Sequence, residues 1–208
     1  FEIRESNGTK VASGTNDANG KVTFDKALTF SKVGVYHYEV VETSSDGKGV
    51  TTDKSPRRVT VTVVDNGGSL SASYVVESTA ENYIVFTNTY TAQPAKYILS
   101  GKKILEGRAL LNAEFKFTLT ASDGEGKVAA GAQSYTVENR LDGSFSFPEL
   151  VFTSAGDYFY VVSEVNDSAV PGVKYDTAKY IVKITVKDNL EGQLIAEAPV
   201  IHIAGSGI

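Results

Sequence analysis

The chain has 208 residues, a formal net charge of −5 and no cysteine. The acidic balance argues against a nucleic-acid-binding protein, which needs a basic face to neutralise phosphates, and there is no run of about 18 apolar residues that could span a membrane. The absence of cysteine excludes thiol nucleophiles, thiolate metal sites and disulfides, while a hydrophobic content of 41% is enough for packed cores.

The first half of the chain is a series of short segments rich in β-branched and aromatic residues. Val59, Val61 and Val63 alternate with Thr60 and Thr62, a period of two that is typical of a β-strand. Turn-forming sequences separate the segments: NDANG (16–20), SSDGKG (44–49) and DNGG (65–68). This half ends in YIVFTNTY (83–90), followed by TAQPAK (91–96), which we interpret as a short linker.

The second half of the chain repeats the first. Extra residues in the second copy fall in the polar segment 124–133. The matching pairs are FEIRE (1–5) with FKFTL (115–119), GKVTF (20–24) with GSFSF (143–147), VGVYHYEVVE (33–42) with AGDYFYVVSE (155–164), GVTTD (49–53) with GVKYD (172–176), and VTVTVVDNGGSL (59–70) with VKITVKDNLEGQL (182–194).

Many short strands with frequent turns predict an all-β chain of two tandem immunoglobulin-like β-sandwich domains arranged end to end. We expect the domains to span residues 1–92 and 93–208. The second copy begins with YILSGKKILEG (97–107), which has no counterpart in the first, and the first ends in YIVFTNTY, which has no counterpart in the second. We therefore expect the first domain to lack its first strand and the second domain its last.

Four polar residues stand at notable places in these strands. Lys103 shares a strand face with apolar neighbours, whereas Lys102, the alternative, is out of phase; Asn88 shares a face with apolar residues of 83–90. Glu42 and Glu164 end the matching aromatic strands. These residues could be exposed strand ends, an edge lysine that blocks aggregation or a turn asparagine. If they point into a core, each would cost several kcal/mol unless paired.

A chemical reaction would resolve this burial problem. Burial favours the uncharged forms of an amine and a carboxyl, and a neutral amine is a nucleophile. A carboxyl that is hydrogen-bonded to an asparagine side-chain carbonyl can polarise it and transfer protons. Attack of the amine on the carboxamide, with loss of ammonia, leaves a Lys–Asn amide, and proximity within the fold can supply about 7–11 kcal/mol of the barrier.

The chain resembles the streptococcal pilin isopeptide-linkage repeat of Gram-positive shaft pilins and adhesin stalks. In that family a lysine of the first strand is joined to an asparagine of the last strand, and a glutamate after an aromatic-rich strand promotes the bond. The resemblance implies Lys103 and Asn88 as cross-link residues and Glu42 and Glu164 as promoting acids. Its segments are GKKILEGRAL (101–110), AEFKFTL (113–119), GDYFYVVSE (156–164), GVKYDTAKYIVKITV (172–186) and VFTNTY (85–90).

The resemblance implies a structural protein of the bacterial cell surface, part of a pilus or a cell-wall-anchored stalk. Its partners would be neighbouring repeats or subunits of the same fibre, and the self-modification needs no cofactor or metal and is not enzyme turnover. The first repeat has no matching lysine and the second has no matching asparagine. We therefore expect that neither bond forms within a single repeat of this chain. The alternative is an adhesin module that binds a host protein or glycan through its loops, such as the one between Thr120 and Leu141.

The two histidines point to no further site. His37 and His202 lie at non-equivalent places in different copies. This argues against a catalytic triad or a zinc site.

Overall fold

The chain folds into two compact units, here called unit 1 (Phe1–Thr91) and unit 2 (Ala92–Ile208). The computed structural model describes residues 1–77, 83–166 and 170–205. Within these ranges there are strands and no helix, which confirms the prediction of an all-β chain with two tandem β-sandwiches. No helix of the described part has the length and apolar character needed to cross a membrane.

The strands of unit 1 are β1 (Glu2–Glu5), β2 (Lys10–Asn16), β3 (Val22–Phe24), β4 (Gly34–Val41), β5 (Val50–Thr51), β6 (Arg57–Asp65), β7 (Leu70–Val76) and β8 (Thr89–Tyr90). They form a six-stranded antiparallel sheet of order β3-β2-β1-β4-β6-β7 and a separate pair, β5 with β8. The pair brings the end of the 83–90 segment against β5.

The strands of unit 2 are β9 (Ala95–Tyr97), β10 (Ser100–Lys102), β11 (Lys116–Ser122), β12 (Ser134–Glu138), β13 (Ser144–Ser146), β14 (Leu150–Phe152), β15 (Gly156–Val165), β16 (Lys179–Asp188), β17 (Leu194–Ala196) and β18 (Val200–Ile203). They repeat the plan of unit 1 with a main sheet of order β12-β11-β15-β16-β17, in which β18 also pairs with β16. Two short pairs, β10 with β13 and β9 with β14, form the rest, and the polar insert 124–133 connects β11 with β12.

The alternation of side chains in the sequence sets which residues form the cores. In β6, Val61 and Val63 are buried whereas Thr62 is exposed, as the period of two requires. In unit 2, Leu119 of β11 and Ile184 of β16 are fully buried and belong to one cluster. Burial of a side chain of this size stabilises a fold by about 1.5–3 kcal/mol.

Candidate functional site

Lys103 lies at the start of the chain segment that leaves β10. Its backbone N–H donates to the Gly143 carbonyl at 2.8 Å, which continues the pairing of β10 with β13. The side chain is only 11% exposed; its Nζ donates to Glu164 Oε2 at 2.8 Å and lies 4.5 Å from the centre of the Phe115 ring. Lys102 is exposed, so Lys103 is the lysine that contacts the glutamate.

The Glu164 carboxyl is deeply buried, with 4% of the side chain exposed. It stands in β15 opposite Phe117 of β11, where the aromatic strand faces the core. Its Oε2 also accepts the backbone N–H of Asp176 at 3.3 Å, whereas its Oε1 is buried and has no hydrogen-bond partner among the described residues. One oxygen is therefore engaged and the other is available to a further donor.

Two glycines that sequence reasoning did not single out bring β10 to this place. A Cβ on Gly101 would lie 2.3 Å from the Phe145 ring, and a Cβ on Gly143 would lie 2.2 Å from the Lys103 carbonyl oxygen. Gly143 also has a φ of +83°, a region that favours glycine. The Asp-Gly pair in LDGS (141–144) is the sequence signal that predicts this turn.

In unit 1 the equivalent carboxyl belongs to Glu42, which follows β4 and is 7% exposed. Its Oε1 accepts a hydrogen bond from Asn88 Nδ2 at 2.9 Å, and its Oε2 is buried without a partner among the described residues. Asn88 as a residue is exposed, just before β8. The sequence pattern predicts that the carboxyl contacts the asparagine carbonyl, whereas in the structure it contacts the amide nitrogen.

The Asn88 carbonyl has a different partner, the loop residue Asp53. Asn88 Oδ1 accepts the backbone N–H of Asp53 at 2.8 Å. The Asp53 carboxylate in turn accepts the backbone N–H groups of Ser55 at 3.0 Å and Thr87 at 3.3 Å and a hydrogen bond from Arg57 Nη2. These bonds, first that from Ser55, lower the pKa of Asp53 to about 2.

Arg57 completes the attachment of the segment that carries the asparagine. Its Nε donates to the Val85 carbonyl at 2.9 Å, and its guanidinium lies 4.7 Å from the centre of the Phe86 ring. We call Asp53 and Arg57 the clamp. The sequence signal that marks Asp53 is its repetition: the last residue of GVTTD (49–53) matches Asp176, the last residue of GVKYD (172–176).

The histidines lie apart from these sites. His37 Nδ1 is 3.1 Å from Thr60 Oγ1, and His202 is in β18 of the other unit. Within residues 1–77, 83–166 and 170–205, no group of three His, Asp or Glu side chains could hold a metal ion.

Comparison with known proteins identifies the family. The sequence model of FctA, a Spy0128-like isopeptide containing domain, matches residues 1–91 and 99–203. The chain belongs to this family. A pilin of Streptococcus pyogenes serotype M1 is 31% identical over 132 residues. That alignment covers 62% of the present chain and 36% of the pilin, so it spans little more than a third of the relative. The FctA match confirms the resemblance inferred from the sequence.

Proposed function

We propose that this chain is part of a pilus shaft or stalk on the surface of a Gram-positive bacterium, in which each β-sandwich is closed by a Lys–Asn amide. One observation, made twice, supports the proposal. In each unit a buried glutamate holds one of the two reacting groups: Lys103 on Glu164 at 2.8 Å and Asn88 on Glu42 at 2.9 Å.

The unpaired second oxygen of each glutamate supports a site in which a glutamate, a lysine and an asparagine side chain meet. Glu42 Oε2 and Glu164 Oε1 are buried without a partner among the described residues, and an unsatisfied buried acceptor costs about 1–3 kcal/mol. We infer that the partner of Asn88 is a lysine at the place that Lys103 occupies in unit 2. The partner of Lys103 is correspondingly an asparagine at the place of Asn88 in unit 1.

The proposed reaction is a transamidation, in which the lysine amine replaces the amide nitrogen of the asparagine side chain. The glutamate accepts a proton from the lysine ammonium, and the neutral amine attacks the asparagine Cγ. The carboxyl then donates this proton to the leaving nitrogen and takes up the second proton, which the attacking nitrogen loses. Lysine and asparagine side chains become one secondary amide and one ammonia. Each site reacts once, so the protein modifies itself and is not a turnover catalyst, and no metal or cofactor takes part.

A groove of roughly 1410 Å³ in unit 2 supports the position of the asparagine-bearing segment. Lys103 and Glu164 line it together with apolar side chains, among them Leu99, Phe117 and Val182. An extended segment with alternating apolar residues, such as 83–88 in unit 1, suits these walls. An amide between the first and last segments of a sandwich would carry tension along the fibre without disulfides, with neighbouring subunits of the same fibre as partners.

The mass of an extended chain tests the reaction in unit 1. Because Phe1 matches Phe115, a copy of residues 97–114 is placed ahead of Phe1, which supplies a copy of Lys103 in register. The Phe1 amino group donates to the Gly14 carbonyl at 2.8 Å, a contact that a peptide N–H can also make. We expect the folded protein to be lighter than its sequence by about 17 Da, one ammonia.

Three variants of this extended chain are the controls. Glu42→Ala, Asn88→Ala and arginine in place of the grafted lysine should each restore the full mass, and peptide mapping should locate the cross-link. A folded extended chain that keeps its full mass would contradict the proposal. For unit 2, a copy of residues 85–90 placed after Ile208 puts an asparagine about four residues beyond it, where the repeat predicts one, and Glu164→Ala is the control.

A further inference from the structure

The carboxamide of Asn88 is held at both ends, and only one of these contacts has a role in the reaction proposed above. Its Nδ2 donates to Glu42 Oε1 at 2.9 Å, and its Oδ1 accepts the backbone N–H of Asp53 at 2.8 Å. These two bonds fix the orientation of the group, since only the oxygen can accept and only the nitrogen can donate. The carbonyl oxygen is the atom on which negative charge develops when an amine attacks.

The N–H of Asp53 is held in place by the side chain of the same residue. The Asp53 carboxylate accepts the N–H of Ser55 at 3.0 Å and that of Thr87, next to Asn88, at 3.3 Å. Arg57 donates to the same carboxylate, and 14% of the Asp53 side chain is exposed. The loop that supplies the N–H and the segment that supplies the carbonyl are thus tied together.

Unit 2 repeats this turn at the matching residue, Asp176, although its backbone N–H has a different acceptor. It donates to the Glu164 carboxylate, 3.3 Å from Oε2, whereas the N–H of Asp53 donates to the asparagine. Its carboxylate accepts the N–H of Ala178 at 2.8 Å and the hydroxyl of Tyr180 at 2.9 Å. The partners stand two and four residues further on, the same spacing as Ser55 and Arg57 from Asp53. Two copies of the fold therefore aim one backbone N–H at the site.

We propose that the backbone N–H of Asp53 is the oxyanion donor of the cross-linking reaction, and that its carboxylate is the positioning group that holds it there. The N–H of Asp176 has the same role in unit 2. This inference rests on the proposed function, because it concerns the transition state of that reaction. It assigns a catalytic contact to a loop that the sequence pattern of lysine, glutamate and asparagine does not include.

The bond changes define what the donor does. The lysine nitrogen forms a bond to Cγ of Asn88, and the C=O electron pair moves to Oδ1, where the Asp53 N–H stabilises the negative charge. The electron pair returns as the Cγ–Nδ2 bond breaks. Glu42 protonates the leaving nitrogen to give ammonia and accepts the proton that the attacking lysine nitrogen loses. Loss of one preorganised donor of this kind slows acyl transfer by about 10²- to 10³-fold.

The test is the rate of mass loss after refolding of the extended chain that carries the copy of residues 97–114. In one semisynthetic protein, Asp53 is replaced by its α-hydroxy acid, which exchanges the N–H for an oxygen and keeps the carboxylate. In the matched control, Thr52 is replaced by its α-hydroxy acid, which removes the adjacent N–H, a donor to Asp46 Oδ1 at 2.9 Å and not to Asn88 or the Asp53 carboxylate. Asp53→Asn tests the positioning role. Rates are measured across pH beside thermal unfolding.

We expect the ester at Asp53 to slow the reaction by about 10²-fold at every pH, with the pH midpoint unchanged. The ester at Thr52 should lower thermal stability to a similar extent and change the rate by only a few-fold. Equal rates for the two esters, with Glu42→Ala still abolishing the reaction, would overturn this inference and leave the proposed function intact. No mass loss in any extended chain would overturn both.

Discussion

The Lys103 Nζ lies 2.8 Å from Glu164 Oε2, in a place where the two side chains are 11% and 4% exposed. The same nitrogen lies over the Phe115 ring at 4.5 Å, which attracts a cation through its quadrupole. Each charge compensates the other for the loss of water, so neither residue can be removed without leaving a charge in a poorly solvated place. The effect predicted for Glu164→Ala follows from this mutual dependence of the two charges.

Glu164→Ala should lower the free energy of unfolding of unit 2 by about 3 kcal/mol, the usual cost of removing one partner from a buried ion pair. Lys103 would lose the carboxylate that it contacts, while its stem stays packed among apolar residues. Denaturant unfolding, monitored by signals of unit 2, measures the change. Glu164→Ala combined with Lys103→Met should recover much of the loss, because the double variant removes both charges.

The control for this prediction is an exposed ion pair of unit 2. Lys96 Nζ lies 2.8 Å from Glu149 Oε1, at the same distance as the buried pair, but the side chains are 63% and 43% exposed. Glu149→Ala should change the free energy of unfolding by less than about 1 kcal/mol. Equal effects of Glu164→Ala and Glu149→Ala would contradict the description of the Lys103–Glu164 pair as buried.

Gly143→Ala should displace the strand that carries Lys103. The added Cβ would lie 2.2 Å from the Lys103 carbonyl oxygen, and the positive φ of 83° itself costs about 1–2 kcal/mol for a residue with a Cβ. Gly131 also has a positive φ, but a Cβ there would meet nothing within 4 Å. Gly131→Ala should therefore show the φ cost alone, and Gly143→Ala a larger loss together with faster hydrogen exchange at the Lys103 amide. Equal losses for both variants would contradict a steric role.

The strand phase of residues 97–105 was enough to predict which lysine faces inward. Leu99 is 5% exposed and the Lys103 side chain is largely buried, whereas Ser100, Lys102 and Ile104, in the opposite phase, are exposed. Alternation is a property of the extended backbone itself, so it is visible in the sequence. The internal repeat likewise predicted that Glu42 and Glu164 occupy equivalent places, because matched segments of the two copies form matched strands.

The contacts of Asn88 could not be predicted in this way. Its phase with Phe86 suggested a core position, yet the residue is exposed, because strand pairing in this segment begins only at Thr89. Residues 83–88 are held instead by the clamp, Asp53 from the loop after β5 and Arg57 from the start of β6, some 30 residues earlier in the chain. A long-range contact between a loop side chain and a backbone amide leaves no periodic signal. Only the repetition of the aspartate in both copies marks it.

Arg57→Lys should loosen the 83–88 segment although it keeps the charge. Arginine here donates in three directions, to the Asp53 carboxylate and to the carbonyls of Ser55 and Val85, and a lysine ammonium cannot reproduce this planar fork. We expect faster hydrogen exchange at the Thr87 and Asp53 amides. Arg58→Lys is the control, because Arg58 is 69% exposed and pairs only loosely with Glu39 at 3.5 Å. Unchanged exchange in Arg57→Lys would contradict the clamp.

The pH dependence of unit 1 follows from the pKa of Asp53. Hydrogen bonds, chiefly from the Ser55 N–H and Arg57, lower this pKa to about 2, whereas an unfolded aspartate titrates near 3.9. The folded state binds the proton less readily, so the carboxylate stabilises unit 1 above about pH 4, and this contribution is lost as pH falls from about 4 to about 2.

In Asp53→Asn the contribution is missing at every pH. The difference in free energy of unfolding between the native chain and Asp53→Asn should therefore be constant above pH 4 and shrink below it, as measured by denaturant unfolding at a series of pH values. A difference that stays constant down to pH 2 would mean that the carboxylate of Asp53 does not hold these donors, and the clamp would then have to rest on Arg57 and the backbone alone.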